Sequence, residues 1–141
     1  MSSSNVDLVR SLYAAWGRGD YFGSTEWAHP AIDFVIVDGP SPGRWTGPDG
    51  LAVAWRDFLS PWEDFRAEAD EYRELDDECV LVLGHFSGRG KTSGLELGQM
   101  RTKGAGLFHV RGGKVTRFVI YWVREHAFAD LGLGPEARTS P

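Results

Sequence analysis

The segment Val9-Arg-Ser-Leu-Tyr-Ala-Ala-Trp-Gly-Arg-Gly-Asp20 predicts an amphipathic helix that ends abruptly. Four of its apolar side chains follow the i, i+3, i+4, i+7 spacing of one buried helical face: Val9, Leu12, Tyr13 and Trp16. Gly17 and Gly19 then end the helix, because glycine readily leaves helical geometry. Outward from this segment we predict a short second helix from Tyr21 to about Ala28. A third helix opens at Pro48-Asp49 and ends before Pro61.

The rest of the sequence has a two-residue period that predicts strands. An early strand covers residues 31–37, and four further strands form an antiparallel meander over residues 66–75, 79–86, 95–110 and 114–124. Helices gathered at one end and consecutive hairpins at the other indicate an α+β fold. We expect a cone-shaped roll, in which three helices of the N-terminal half close a strongly curved, mostly antiparallel sheet around a cavity.

Length and composition describe one globular domain. The 141 residues carry 20 acidic and 15 basic side chains, a formal net charge of −5, which disfavours binding to nucleic acids. One cysteine excludes an internal disulfide, and no apolar run approaches a membrane span. The start of the chain lacks the features of a secretory signal, so we expect a cytoplasmic protein. We expect one domain over residues 1–133 and a flexible tail over residues 134–141.

Aromatic residues are abundant: six Trp, eight Phe and four Tyr. In a domain of this size they are either ordinary core or the flat walls of an apolar pocket. The composition alone leaves both readings open. If a pocket exists, we expect seven side chains to line it: Trp16, Trp27, Trp55, Phe58, Trp62, Phe108 and Tyr121.

Motifs for cofactors are absent from the sequence. The four histidines are scattered without the short spacing of zinc ligands. Gly88-Arg-Gly-Lys-Thr-Ser93 lacks the spacing of a phosphate-binding loop, and no dinucleotide fingerprint occurs. We therefore expect no metal and no cofactor.

Five segments, taken in their order and spacing, resemble one family: residues 9–20, Trp45-Thr-Gly-Pro-Asp-Gly50, residues 88–94, Gly112-Gly-Lys-Val-Thr-Arg117 and residues 127–133. They are similar to the SnoaL-like branch of the nuclear-transport-factor-2-like superfamily, over roughly residues 5–133. The resemblance implies a curved sheet and three helices around a conical cavity, and often a homodimer formed through the outer surface of the sheet. It implies no single function, because members include isomerases, cyclases, dehydratases, epoxide hydrolases and non-catalytic domains.

Two residues are similar in position to the catalytic residues of ketosteroid isomerases, which share this fold. Tyr13 stands seven residues before Asp20, where those enzymes have a hydrogen-bond donor to the oxyanion. Asp38 stands nine residues before Gly47, where they have the general base. Proton transfer beside a carbonyl needs such a carboxylate and such a hydroxyl. The alternatives are a core tyrosine for Tyr13 and a turn-starting residue for Asp38.

The sequence also departs from these enzymes. Gly106 falls near the position where ketosteroid isomerases have a second, protonated acid. SnoaL-like cyclases often end the last strand in an Asp-Arg pair, whereas this chain has Val123-Arg124. Both departures remove a carboxylate that the resemblance would otherwise supply.

Of the histidines, His85 is the candidate site residue. Its side chain lies on the same face of its strand as those of Cys79, Leu81 and Leu83, and it points into the cone if that face is the inner one. We expect His29 to be structural, His126 solvated near the tail, and His109 on an outer surface. The sequence therefore predicts a cofactor-independent enzyme or binder for a small, mostly apolar molecule, with isomerase- or cyclase-type proton transfer beside a carbonyl. The alternative is a non-catalytic ligand-binding or dimerisation module of the same fold.

Overall fold

The computed structural model describes residues 3–18, 20, 26–38, 42–60, 62–90 and 99–132. Three helices and six strands occur there in the order α1 (Ser3–Gly17), β1 (Ala28–Ile36), β2 (Gly43–Thr46), α2 (Gly47–Leu59), β3 (Trp62–Asp76), β4 (Cys79–Gly90), β5 (Gln99–Arg111), β6 (Lys114–Tyr121) and α3 (Arg124–Asp130). The strands form one sheet in the order β2-β1-β6-β5-β4-β3. Every neighbouring pair is antiparallel except β1 and β6, which are parallel. The predicted α+β class and mostly antiparallel sheet are confirmed.

The meander from β3 to β6 follows the prediction closely because hairpin turns fix its register. The turn between β5 and β6 uses Gly112 and Gly113, whose φ angles are +61° and +78°. Positive φ at both central residues matches the twist of the flanking strands and favours glycine. The predicted helices at the start of the chain and before Pro61 are likewise confirmed as α1 and α2.

Three predicted boundaries are wrong. Ala28, the predicted end of a second helix, begins β1, because His29 precedes Pro30 and is therefore extended; residues 21–25 of that helix lie outside the described ranges. None of the predicted strands covers Gly43–Thr46, which form the short strand β2. The last strand ends at Tyr121, and a helix then begins at Arg124. Among the described residues, α1 and α2 lie in the N-terminal half of the chain and α3 follows the last strand of the sheet.

The sheet is covered by apolar side chains on both faces. On the inner face it packs against α1 and α2, and the buried residues there include Val9, Trp16, Phe34, Trp55, Phe58, Val80, Val82, Phe108 and Phe118. On the outer face, around α3, a second buried layer consists of Cys79, Leu81, Leu83, Ala105, Leu107, Val119, Tyr121, Ala127 and Phe128. Because β4 contributes to both layers, it is apolar on both faces, as its sequence predicts for a central strand.

The thiol of Cys79 lies in the outer layer and is only 6% exposed. Burial raises the pKa of Cys79 to about 11 from an ordinary value of 9.0, with a smaller contribution from Asp76. The thiolate is the reactive form, so two pH units should lower its population about a hundredfold. We expect dithionitrobenzoate at pH 8 to label the folded chain at least that much more slowly than the urea-unfolded chain. Equal rates would contradict the burial of this thiol.

None of the helices in the described residues has the length and apolar character needed to cross a bilayer.

Candidate functional site

Aromatic rings on the inner face of the sheet contact one another directly. Phe108 and Phe118 stack with centroids 4.4 Å apart at an angle of 16°. Trp16 stacks on Phe118 at 5.6 Å and meets Trp55 edge-on at 5.4 Å. Such pairs stabilise a core beyond the area that they bury, each by about 0.5–1.5 kcal/mol. The region around Trp16 is therefore packed by ring on ring.

The residues predicted to line one pocket lie in different layers of the structure. Trp16, Trp55, Phe58 and Phe108 are buried in the inner layer, and Trp27 lies at its margin, 6.3 Å from Trp16. Tyr121 instead belongs to the outer layer, because neighbouring residues of β6 alternate between the two faces. Its hydroxyl lies 3.1 Å from Asp130 on α3. The side chain of Trp62 lies outside the described residues.

Tyr13 extends from α1 towards β5. A Cβ atom added to Gly106 would lie 2.7 Å from the Tyr13 hydroxyl oxygen, so the glycine leaves the space that this hydroxyl occupies. Burial raises the pKa of Tyr13 well above its ordinary value, and the nearby Tyr72 raises it further. The hydroxyl therefore keeps its proton and can donate a hydrogen bond, but it cannot act as a base near neutral pH.

Asp38 lies just after β1 and holds the end of the last strand. Its Oδ1 accepts a hydrogen bond from the backbone N–H of Trp122 at 2.6 Å. Its Oδ2 accepts one from the N–H of Val123 at 3.3 Å. These bonds satisfy the N–H groups of the two residues that connect the end of β6 at Tyr121 to the start of α3 at Arg124. Both oxygens of the Asp38 carboxylate are therefore engaged by backbone N–H groups.

The same carboxylate contacts His126, with 2.5 Å between Oδ2 and the ring Nδ1. An ionised carboxylate only accepts hydrogen bonds, so Nδ1 carries the proton in this contact. Nε2 is then the ring nitrogen that is not bonded to Asp38. The His126 side chain is 53% exposed, so solvent or a ligand can reach it. This carboxylate–imidazole arrangement orients a histidine to act as a base.

Among the described residues the side-chain contacts of Asp38 are with Trp122, Val123 and His126, and not with Tyr13, which the sequence pairs with it as donor and base. A series of ring contacts of 5.0–5.5 Å connects Tyr13 to the residue whose N–H Asp38 binds: Tyr13, Trp16, Trp55, Phe58 and Trp122. The rings of Trp16, Trp55 and Phe58 thus lie between the ring of Tyr13 and that of Trp122 in this series. The contacts do not bring Tyr13 and Asp38 together.

His85 lies on the outer face of the sheet. It does share the parity of Leu81 and Leu83, as predicted, but that parity belongs to the outer layer. Its Nε2 lies 3.1 Å from Glu68 and its Nδ1 lies 3.2 Å from Asp70, both on β3. Arg124 contacts the same Asp70 at 3.7 Å. Both ring nitrogens are thus engaged by carboxylates on the side away from α1 and α2.

His126 is the residue that sequence reasoning missed. Asp38 and His126 are 88 residues apart, so no local spacing connects them. His126 reaches the carboxylate only because α3 begins where β6 ends. Among the described residues no group of three or more His, Cys, Asp or Glu side chains is arranged to hold a metal ion.

Residues 9–118, well over half of the chain, match the family described as the SnoaL-like domain. The chain belongs to this family. No curated protein sequence matches this SnoaL-like chain.

Solved structures share the fold of this SnoaL-like chain. An NTF2-like protein of unknown function from Burkholderia pseudomallei has a TM-score of 0.74 at 21% identity, over 90% of this chain and 96% of its own. TerC, co-crystallised with polyporic acid, has a TM-score of 0.71 at 21% identity, over 92% of this chain and 98% of its own. A putative polyketide cyclase from Xanthomonas campestris has a TM-score of 0.68 at 19% identity, over 91% of this chain and 96% of its own. At these identities the likeness concerns the fold alone.

Proposed function

We propose that this SnoaL-like chain is a cofactor-independent enzyme that moves a proton next to the carbonyl of a small, mostly apolar molecule. One observation carries the proposal: the Asp38 carboxylate holds the His126 ring through Nδ1 at 2.5 Å. His126 is then the base and Asp38 the positioning residue, which reverses the role that the sequence suggests for Asp38. The residue whose N–H binds Asp38, Trp122, packs its ring against Phe58 in the buried inner layer, with 5.5 Å between the ring centroids.

In the proposed step, Nε2 of His126 takes a proton from the carbon next to the carbonyl. The electrons of that C–H bond form the C=C bond of an enolate, and the negative charge moves to the carbonyl oxygen. Asp38 stabilises the imidazolium that forms. The proton then returns to the same or a conjugated carbon, so the step needs neither an oxidant nor a cofactor.

The relatives are consistent with this class of chemistry. One structural neighbour is a putative polyketide cyclase, and another, TerC, was crystallised with polyporic acid. Polyketide-type substrates carry carbonyl groups whose neighbouring C–H bonds are acidic, which is the chemistry that a histidine base serves. The neighbours' names therefore guide the choice of candidate substrates.

Deuterium exchange tests the proposal directly. The chain is incubated in D₂O at neutral pH with a panel of apolar ketones, β-diketones and polyporic acid, and loss of the proton next to the carbonyl is followed by NMR. We expect at least one ketone to exchange faster than in buffer alone. Exchange at the buffer rate for the whole panel, despite binding of a panel member, would contradict the proposed reaction.

A second function, binding without chemistry, is favoured by a different observation. The Tyr13 hydroxyl lies beside Gly106, where β5 has no side chain, and a hydroxyl among aromatic rings can donate a hydrogen bond to a carbonyl without transforming it. Calorimetry with the same panel separates the two functions, because a binding module shows affinity that Tyr13→Phe weakens and no exchange. Affinity unchanged in Tyr13→Phe would exclude this role for the hydroxyl.

Pairing of two copies through the outer face of the sheet also stays a prediction, carried by the family resemblance alone. Sedimentation velocity tests it, since a dimer has twice the 15.6 kDa mass of the chain.

A further inference from the structure

A surface depression of about 420 Å³ lies between α1 and β3. Its volume is within the range of small-molecule sites. Its base is made of residues with little or no side chain: Ala14, Gly17, Ala67 and Ala69. Such a base lets a flat molecule approach the backbone closely, whereas larger side chains would hold it away.

Aromatic and cationic groups border this base. The guanidinium carbon of Arg10 lies 4.5 Å from the centre of the Tyr72 ring. The ring of Tyr72 in turn meets that of Tyr13 edge-on, with centroids 6.3 Å apart. An arginine on a ring face is held in place while its N–H groups stay available to an anion.

Among the described residues that line the depression, the charged ones are Arg10 and Glu68. Within the described ranges no carboxylate forms an ion pair with Arg10; the acid that lines the depression, Glu68, has its carboxylate 3.1 Å from His85. Arg66 donates from Nη1 to the Gly17 carbonyl at 2.9 Å and so offsets the negative end of the α1 dipole. Arg10 is therefore the group at the depression that an anionic ligand would contact.

We propose that the depression is a binding site for a planar aromatic carboxylate, with the ring on the alanine base and the carboxylate on Arg10. Arginine binds carboxylates through two parallel N–H groups, which fixes their plane. The site is separate from the Asp38–His126 pair and does not depend on the function proposed above.

Alanine methyl NMR tests the proposal with two probes that differ in charge alone, 2-naphthoate and 2-naphthamide. We expect naphthoate to shift the methyl signals of Ala14, Ala67 and Ala69 while those of the buried Ala54 and Ala127 stay in place. Naphthamide should bind about tenfold more weakly. A higher salt concentration should weaken the binding of naphthoate but not that of naphthamide, because salt screens an exposed ion pair.

Arg10→Met keeps an apolar stem and removes the charge, and it should raise the naphthoate Kd about tenfold. Arg56→Met, at an exposed position of α2, is the matched control and should leave the Kd unchanged. Equal affinities for the two probes, an unchanged Kd in Arg10→Met, or shifts confined to Ala54 and Ala127 would each overturn the proposal. Thermal unfolding of both variants confirms that they remain folded.

Discussion

His126→Gln is expected to slow deuterium exchange of a responsive ketone by about 10²–10⁴-fold, the usual contribution of a positioned general base. Glutamine keeps the size and a hydrogen-bonding group, but it has no nitrogen that accepts a proton near neutral pH. The measurement is the exchange rate by NMR in D₂O, with the unfolding midpoint recorded for the same samples. Because the His126 side chain is 53% exposed, the midpoint should change little.

Asp38→Asn separates positioning from folding. Asparagine retains an oxygen for the Trp122 N–H, which Asp38 now binds at 2.6 Å, so the fold should persist. Its amide no longer specifies that Nδ1 of His126 carries the proton, and we expect a loss of exchange similar to that in His126→Gln. The downfield Nδ1–H signal of His126, an indicator of the short contact, should disappear.

His29→Gln is the matched control for these variants, because His29 is exposed at the start of β1. It should exchange the ketone at the parent rate. Added imidazole should restore part of the rate to His126→Ala, since it supplies the missing base in solution. A rate unchanged in His126→Gln, or a fall in His29→Gln equal to that in His126→Gln, would exclude His126 as the base.

The parts of the fold that depend on local pattern are predictable from the sequence. The two-residue period and the Gly112-Gly113 turn specify the meander from β3 to β6 without reference to the rest of the chain. The face of each strand is harder to assign. Since β4 is apolar on both sides, its alternation cannot say which side faces α1 and α2, and the condition that would bring His85 to the inner face is not met.

The parts of the candidate site that the sequence does not predict depend on contacts between residues far apart in the chain. The spacing from Asp38 to Gly47 singles out Asp38, but its partner His126 is 88 residues away on α3. A helix of 7 residues leaves a weak periodic signal, so nothing local predicts where its side chains lie. The prediction that Tyr121 lines the inner pocket is wrong for a related reason. Because β6 is buried on both faces, the sequence shows that its side chains alternate between the faces but not which of them point to the inner face.

Gly84→Ala is expected to destabilise the fold far more than the substitutions of Tyr13, Asp38 or His126. Gly84 lies on β4 opposite Ala69, next to an irregularity in the register of β3. A Cβ atom at this position would lie 2.1 Å from the carbonyl oxygen of Glu68 and 3.2 Å from the Cα of Ala69. These are backbone atoms of a paired strand, so no side-chain rotation relieves the overlap. We expect a loss of more than about 3 kcal/mol in the free energy of unfolding, measured by urea titration.

Gly17→Ala gives the matched control, because a Cβ atom on Gly17 meets no atom within 4 Å. At the end of α1 the methyl group should be neutral or stabilise by up to about 1 kcal/mol, since alanine favours helix. If Gly84→Ala is too unstable to fold, we expect it to be missing from the soluble fraction while Gly17→Ala remains soluble. That outcome also supports the predicted backbone overlap. An unfolding free energy of Gly84→Ala close to that of the parent would mean that β3 and β4 leave room for a methyl group between their backbones.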